Sequence, residues 1–232
     1  MTSLLVRLGR LAADLVFPPR CAICGAGGPF LCDSCESRLE KTVGSRCPVC
    51  WRPLAGSHCE KCATQRPAFD GLRSVYLFNR GARELVLALK YRHESAVAEP
   101  MAGLLARFLI DNPLSVDLIV PVPLSKRRER MRGYNQSALL ARGLSRQLGI
   151  TVQEKALFRR RNTASQASTS SAEERRANVR DAFAGKPDLL NGRRVLLIDD
   201  VATTGATLDA CACAALDSGV ASVWALTFAR ED

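Results

Sequence analysis

Residues 195 to 207, Val-Leu-Leu-Ile-Asp-Asp-Val-Ala-Thr-Thr-Gly-Ala-Thr, constrain the fold more than any other stretch of this 232-residue chain. Val195 to Ile198 is an uninterrupted apolar run, the pattern of a strand buried on both faces of a parallel sheet. Asp199 and Asp200 follow it, and open α/β sheets bind their ligands at the carboxyl ends of their strands. Val201, Ala202, Thr203, Thr204, Gly205, Ala206 and Thr207 are mostly small or hydroxylic, so a turn there can approach an anion closely and offer it N–H and O–H donors. Leu208 to Ser218 reads as a helix beginning at this turn, which adds the positive end of a helix dipole. A polar strand end followed by a Thr-capped turn would explain each piece separately. The order of strand, acidic pair, hydroxyl loop and helix favours a ligand site instead. A phosphate on the turn, with vicinal hydroxyls and Mg²⁺ at the carboxylates, describes a ribose 5-phosphate. Carboxylates buried in an ion pair, or a turn without room for an anion, would argue against that reading.

Elsewhere Leu72 to Phe78, Val116 to Val120 and Val223 to Phe228 read as strands. Ala82 to Arg92, Ala96 to Ile110 and Asn135 to Leu148 read as helices, the last stopping at Gly149. Alternating strands and helices with apolar strands predict a doubly wound parallel α/β sheet. Pro121-Val122-Pro123 forbids continuation of strand or helix, so the chain turns there. Lys126, Arg127, Arg128, Arg130 and Arg132 follow that turn. Arg bridges phosphate oxygens bidentately, which makes Lys126, Arg127 and Arg128 candidate phosphate ligands, against the alternative of a solvated basic helix start. Asn135 is either a ligand contact or the N-cap of the helix it begins.

Eight of the ten cysteines form four C-x-x-C pairs: Cys21 and Cys24, Cys32 and Cys35, Cys47 and Cys50, Cys59 and Cys62. A two-residue gap lets both sulfurs of a tight turn face one tetrahedral ion. The simplest assignment is two structural Zn²⁺ sites, Cys21/Cys24/Cys32/Cys35 and Cys47/Cys50/Cys59/Cys62, although crossed pairings satisfy the spacing equally. Four thiolates close the coordination shell and leave no position for a reactive water. His58 reads as a bystander, and Cys211 and Cys213 as packing residues. Residues 1–66 then form an N-terminal helix and double zinc ribbon, and residues 67–232 the α/β domain.

Val195 to Thr207 resembles the phosphoribosyl pyrophosphate (PRPP) motif of type I phosphoribosyltransferases, and the chain from Cys21 onward resembles the ComF family. Leu89-Lys90-Tyr91, Val120 to Leu124, Arg132 to Gln136 and Thr163 to Asn178 carry the same likeness. It implies a catalytic pair at Asp199 and Asp200 and a 5-phosphate loop from Val201 to Thr207. It further implies pyrophosphate contacts after Pro123 and a flexible closing loop with Arg161, Thr163, Ser165 and Gln166. The implied activity transfers phosphoribose to a nucleobase with Mg²⁺-bound pyrophosphate leaving. The 6-oxopurine salvage enzymes carry Asp at the position matching Thr203, which argues against that acceptor class. ComF relatives are associated with competence, so the rival expectation is a non-catalytic accessory that binds single-stranded DNA and competence or helicase partners.

Lys and Arg total 33 against 23 Asp and Glu, a formal charge of +10. Between Asp117 and Arg194 stand 17 basic and 7 acidic residues, so this region carries the whole excess and would attract polyanions. Aromatic residues make up only 6% of the chain, few platforms for stacked bases. Residues 1–17 combine apolar helical spacing with Arg7, Arg10 and Asp14, predicting a short amphipathic helix and a cytoplasmic protein rather than a membrane span.

Overall fold

The computed structural model describes residues 19–54, 56–92, 94–160 and 182–232. The helix predicted for residues 1–17 and the loop contacts Arg161, Thr163, Ser165 and Gln166 lie outside the described residues. Two short helices, α1 (Asp33–Glu36) and α2 (Glu60–Thr64), belong to the cysteine-rich module. Then follow β1 (Gly71–Leu77), α3 (Arg80–Tyr91), α4 (Ala98–Asp111), β2 (Leu118–Pro121), α5 (Lys126–Arg132), α6 (Gln136–Leu148) and β3 (Thr151–Val152). The chain continues with β4 (Leu157–Arg159), β5 (Phe183–Gly185), α7 (Pro187–Leu190), β6 (Arg194–Ala202), α8 (Ala206–Leu216) and β7 (Ser222–Arg230).

Five strands form one sheet in the order β1-β7-β6-β2-β3, every neighbouring pair parallel, while β4 and β5 make a separate antiparallel pair. Sequence alternation along β6 sends its apolar side chains to two cores. Leu196 and Ile198 pack with Leu85 and Leu89 of α3, Met101 and Leu105 of α4, and Leu140 and Leu144 of α6. Val195 and Leu197 pack on the other face with Cys211, Ala212 and Ala215 of α8 and with Leu157 and Phe183 of the hairpin. The sheet is therefore covered on both sides, as an all-parallel sheet requires.

From β2 the chain moves outward to β3, and from β6 it moves the opposite way to β7, so the winding reverses between β2 and β6. A crevice opens beyond the carboxyl ends of adjacent strands at such a reversal. Several element boundaries differ from the sequence reading by a few residues, and two of the shifts bear on the crevice. β6 does not end at Ile198 but runs through both aspartates to Ala202, because its pairing with β7 continues to Ala202 opposite Arg230. Helix α8 starts at Ala206 rather than Leu208, so Ala206 and Thr207 form its first turn.

The outer edge of β1 is covered by the cysteine module. Thr42 N–H donates to Val75 O at 3.0 Å, Leu77 N–H to Glu40 O at 2.8 Å and Leu72 N–H to Val49 O at 2.7 Å. An exposed strand edge is a template for unwanted pairing, and these bonds remove it. Buried Arg230 donates to Cys50 O at 2.8 Å and to Asp232 Oδ1 at 2.8 Å, and Asp232 also pairs with Arg46 at 2.8 Å. No helix among the described residues is long and apolar enough to cross a membrane.

Candidate active site

A cleft of about 550 Å³ occupies the reversal point. Its lining combines Val122, Pro123 and Leu124 after β2, Arg128, Met131 and Arg132 of α5, and Gln136 and Ser137 of α6. Asp199, Asp200 and Val201 of β6, Thr207, Arg159, and Lys90 with Tyr91 at the end of α3 complete it. Helix α5 is set by Ser125, whose hydroxyl accepts from Arg128 N–H at 3.3 Å, and it ends at Gly133 with φ +78°. That left-handed residue returns the chain toward the sheet. Asn135 resolves as an N-cap: its Oδ1 accepts from Ser137 N–H at 3.0 Å while its Nδ2 donates to Val122 O at 3.0 Å. Tyr134 donates to Leu89 O at 2.8 Å, which pins the end of α3 and its Lys90 and Tyr91 against the same wall.

The two carboxylates have different surroundings. Asp199 keeps part of its surface open to the cleft, and its Oδ1 accepts from Ser137 Oγ at 2.7 Å and from Asp200 N–H at 2.9 Å. Burial among protein atoms, and next the neighbouring Asp200 charge, push its carboxyl up to about 7. Asp200 is buried, and its Oδ2 lies 2.9 Å from Lys90 Nζ. The ammonium approaches off the line of a hydrogen bond, so this oxygen has an ionic partner and accepts no hydrogen bond. Asp200 also lines the cleft, but its buried Oδ2 is committed to Lys90; the expectation of two carboxylates turned alike toward a sugar is corrected to one partly open and one paired.

The turn after β6 has room. An added Cβ at Gly205 would meet nothing within 4 Å, and its φ of +81° is one that L side chains rarely adopt. Thr204 Oγ1 accepts from Ala206 N–H at 3.3 Å. Among the described residues, the amides of Gly205, Thr207 and Leu208 meet no hydrogen-bond acceptor, leaving the start of the eleven-residue α8 with free donors. Thr203, Thr204, Ala206 and Thr207 are exposed, whereas Val201 and Ala202 are strand residues and Ala202 is buried.

Of the predicted basic ligands, only Arg128 lines the cleft; Lys126 and Arg127 sit on the same helix, exposed and outside the lining. A helix turns about 100° per residue, so three consecutive side chains cannot share one face. Arg132 supplies the second cation. Its guanidinium lies 5.1 Å from the Tyr91 ring centroid and donates to Gln136 Oε1 at 2.8 Å. Arg159 belongs to β4 and stacks 5.5 Å from the Phe183 ring. Lys90, Arg132, Ser137 and Arg159 received no individual role from the sequence; Lys90 and Arg132 stood within the segments Leu89-Lys90-Tyr91 and Arg132 to Gln136 that carry the family likeness.

The cysteines gather as the adjacent, uncrossed sets Cys21/Cys24/Cys32/Cys35 and Cys47/Cys50/Cys59/Cys62, each with all four Sγ within 4.8 Å of one another. Sulfurs 2.3 Å from a central Zn²⁺ would stand about 3.8 Å apart. The distances Cys24···Cys32 3.9 Å, Cys47···Cys62 3.8 Å and Cys50···Cys59 3.7 Å fit that tetrahedron. His58 is exposed and outside both sets, and Cys211 is buried in the core. The second set connects directly to the turn after β6, since Lys61 Nζ donates to Thr204 O at 2.7 Å.

The chain matches the double zinc ribbon domain over residues 12–68 and the phosphoribosyl transferase domain over residues 135–231. The DNA utilization protein YhgH of Escherichia coli K12 is 33% identical over 225 residues, covering 91% of this chain and 98% of its own. The competence protein ComFC of Bacillus subtilis is 33% identical over 210 residues, covering 87% and 84%. Similar solved structures include the B. subtilis glutamine PRPP amidotransferase, at 19% identity and a TM-score of 0.42. That match covers 56% of this chain and 26% of the amidotransferase. The Pyrococcus horikoshii purine phosphoribosyltransferase has 16% identity and a TM-score of 0.38 over 57% of this chain and 82% of its own. With one zinc-ribbon module, one phosphoribosyl transferase domain and relatives matched along most of their length, the chain belongs to the ComF family, alongside ComFC and YhgH.

Proposed function

We propose that this protein binds PRPP in the cleft and transfers its phosphoribosyl group to a nucleobase nitrogen, releasing pyrophosphate. The observation that carries the reading is that Asp199 of β6 and Thr207 of the following turn line one cleft with Arg128 and Arg132, and that, among the described residues, the amides of Gly205, Thr207 and Leu208 at this turn meet no acceptor. The 5-phosphate takes the amides of Gly205, Thr207 and Leu208 and the hydroxyls of Thr203 and Thr204. Asp199 accepts from a ribose hydroxyl, oriented by the Ser137 hydroxyl that holds its other lone pairs. Asp200 anchors Lys90 at the cleft wall, where the ammonium faces the negative charge gathering on the leaving pyrophosphate. Arg128 and Arg132 bind that pyrophosphate, and Arg132 is already fixed by Gln136. Mg²⁺ fits the donor set of Asp199 and phosphate oxygens, and when bound it neutralises pyrophosphate charge. Most of the acceleration would come from positioning and from cations placed where charge develops. Incubating the zinc-loaded protein with Mg²⁺, PRPP and a panel of nucleobases tests turnover: pyrophosphate release with one base supports it, and release with none refutes it.

A second function on the same molecule has its own support. Lys126, Arg127 and Arg130 are exposed on α5 and outside the cleft lining, so they are available to phosphates other than those of PRPP. The relatives' names, competence protein and DNA utilization protein, point to single-stranded DNA as that partner. Its binding should weaken steeply with salt, and a flat salt response would contradict a phosphate grip.

A further inference from the structure

Two contacts run from the second ribbon and its exit to the phosphate loop, and the transferase chemistry uses neither. Lys61, between the metal-site residues Cys59 and Cys62, donates from Nζ to the Thr204 carbonyl at 2.7 Å. Ala68 N–H donates to Asp209 Oδ1 at 2.6 Å, and Asp209 lies in the first turn of α8. The loop is thus held from the outside at two points about one helical turn apart.

The chemistry of a peptide unit gives the first contact a consequence. In a trans peptide the C=O and N–H point in opposite directions, so a cation fixed on the Thr204 oxygen turns the Gly205 N–H away from the ribbon. A donor on the carbonyl also polarises the same unit and strengthens its N–H as a donor, and an ammonium does so more than a neutral group. The lysine charge itself adds to the positive potential at the start of α8.

We infer that Lys61 is a positioning residue for the 5-phosphate loop, through which the second zinc ribbon sets the direction of the Gly205 amide. The inference rests on the reading of this loop as the 5-phosphate site. It assigns the ribbon a part in ligand binding that covering the edge of β1 does not require.

The test compares full-length zinc-loaded protein with Lys61→Met and Lys61→Arg by three measurements: zinc content, hydrogen exchange of the loop amides that are hydrogen-bonded, Ala206 to Thr204 Oγ1 and Asp209 to Gly205 O, and calorimetric affinity for ribose 5-phosphate and for inorganic pyrophosphate. Lys61→Met should keep two zinc ions, exchange the loop amides about ten-fold faster, and bind ribose 5-phosphate about ten-fold more weakly with pyrophosphate affinity unchanged. Lys61→Arg should restore both. Unaltered loop exchange in Lys61→Met, an equal loss for both ligands, or loss of zinc from that variant would each overturn the inference. Should wild-type protein bind no ribose 5-phosphate, the proposed function fails, and the exchange comparison still decides whether Lys61 braces the loop.

Discussion

Lys90 Nζ stands 2.9 Å from Asp200 Oδ2 at the wall of the cleft, with the lysine side chain 21% exposed and the aspartate side chain 4%. Removing one partner of a buried pair leaves an uncompensated charge, at a cost of about 3 kcal/mol. Lys90→Met should destabilise the protein by roughly that amount. Asp200→Asn added to it should recover most of the loss, because the stranded charge is gone. Urea denaturation of the two single variants and the double variant measures this, and equal stability of Lys90→Met and wild type would contradict the assigned pairing.

Asp199 sets a pH dependence. Its folded-state carboxyl titrates near 7 against an ordinary 3.8, so its contribution to stability is fully present below 3.8 and is lost as pH rises through about 7. Ligand binding runs the other way, because a ribose hydroxyl or Mg²⁺ needs the carboxylate. Affinity for Mg²⁺ and PRPP should therefore rise between pH 6 and 8, with proton release at the lower end. Calorimetry in buffers of different ionisation enthalpy detects the released proton, and Asp199→Asn should lower the count, leaving what the ligand's own phosphate, with a second pKa of about 6, gives up. A proton count of zero at pH 6 in the wild type would exclude Asp199 as the group being titrated.

Gly205 is the loop residue most sensitive to backbone change. Its left-handed φ of +81° costs a residue with a Cβ about 1 kcal/mol, while open space around it means no clash is added. Gly205→Ala should lower thermal stability modestly and ribose 5-phosphate affinity by more than ten-fold. A variant that binds like wild type would show that the loop's conformation is immaterial to the phosphate.

The zinc ribbon is part of the sheet's protection. Cys59→Ser with Cys62→Ser removes half of the second four-sulfur set, and with it the order around Val49, Cys50 and Lys61. Zinc content should fall from two ions to one, and the uncovered β1 edge should promote aggregation on warming. Metal analysis with light scattering checks this; a monodisperse one-zinc protein with unchanged melting would count against the edge-covering role.

Much of this arrangement was legible in the sequence where the cause is local. The apolar runs of β2, β6 and β7 marked the sheet, Asn135 marked the start of α6, and C-x-x-C spacing marked the eight metal-site cysteines, while their adjacent rather than crossed grouping came from the fold. What sequence could not give are contacts between distant segments. β6 continues past its aspartates because Arg230 and Ala229 of β7 pair with it, not because of its own hydropathy. The same is true of Lys90 against Asp200, Lys61 against Thr204, and ribbon residues 40–49 against β1. Each joins residues whose local patterns carry no sign of the other.

The central claim is that the turn after β6 cradles the phosphate of a phosphorylated pentose beside Asp199. Calorimetric titration of the zinc-loaded protein with PRPP and Mg²⁺ tests it most directly, beside the Asp199→Asn, Asp200→Asn double variant. The account predicts one PRPP bound per chain by the wild type and none by the folded, zinc-retaining variant. Equal affinity in the two proteins, or no binding by either, would contradict it.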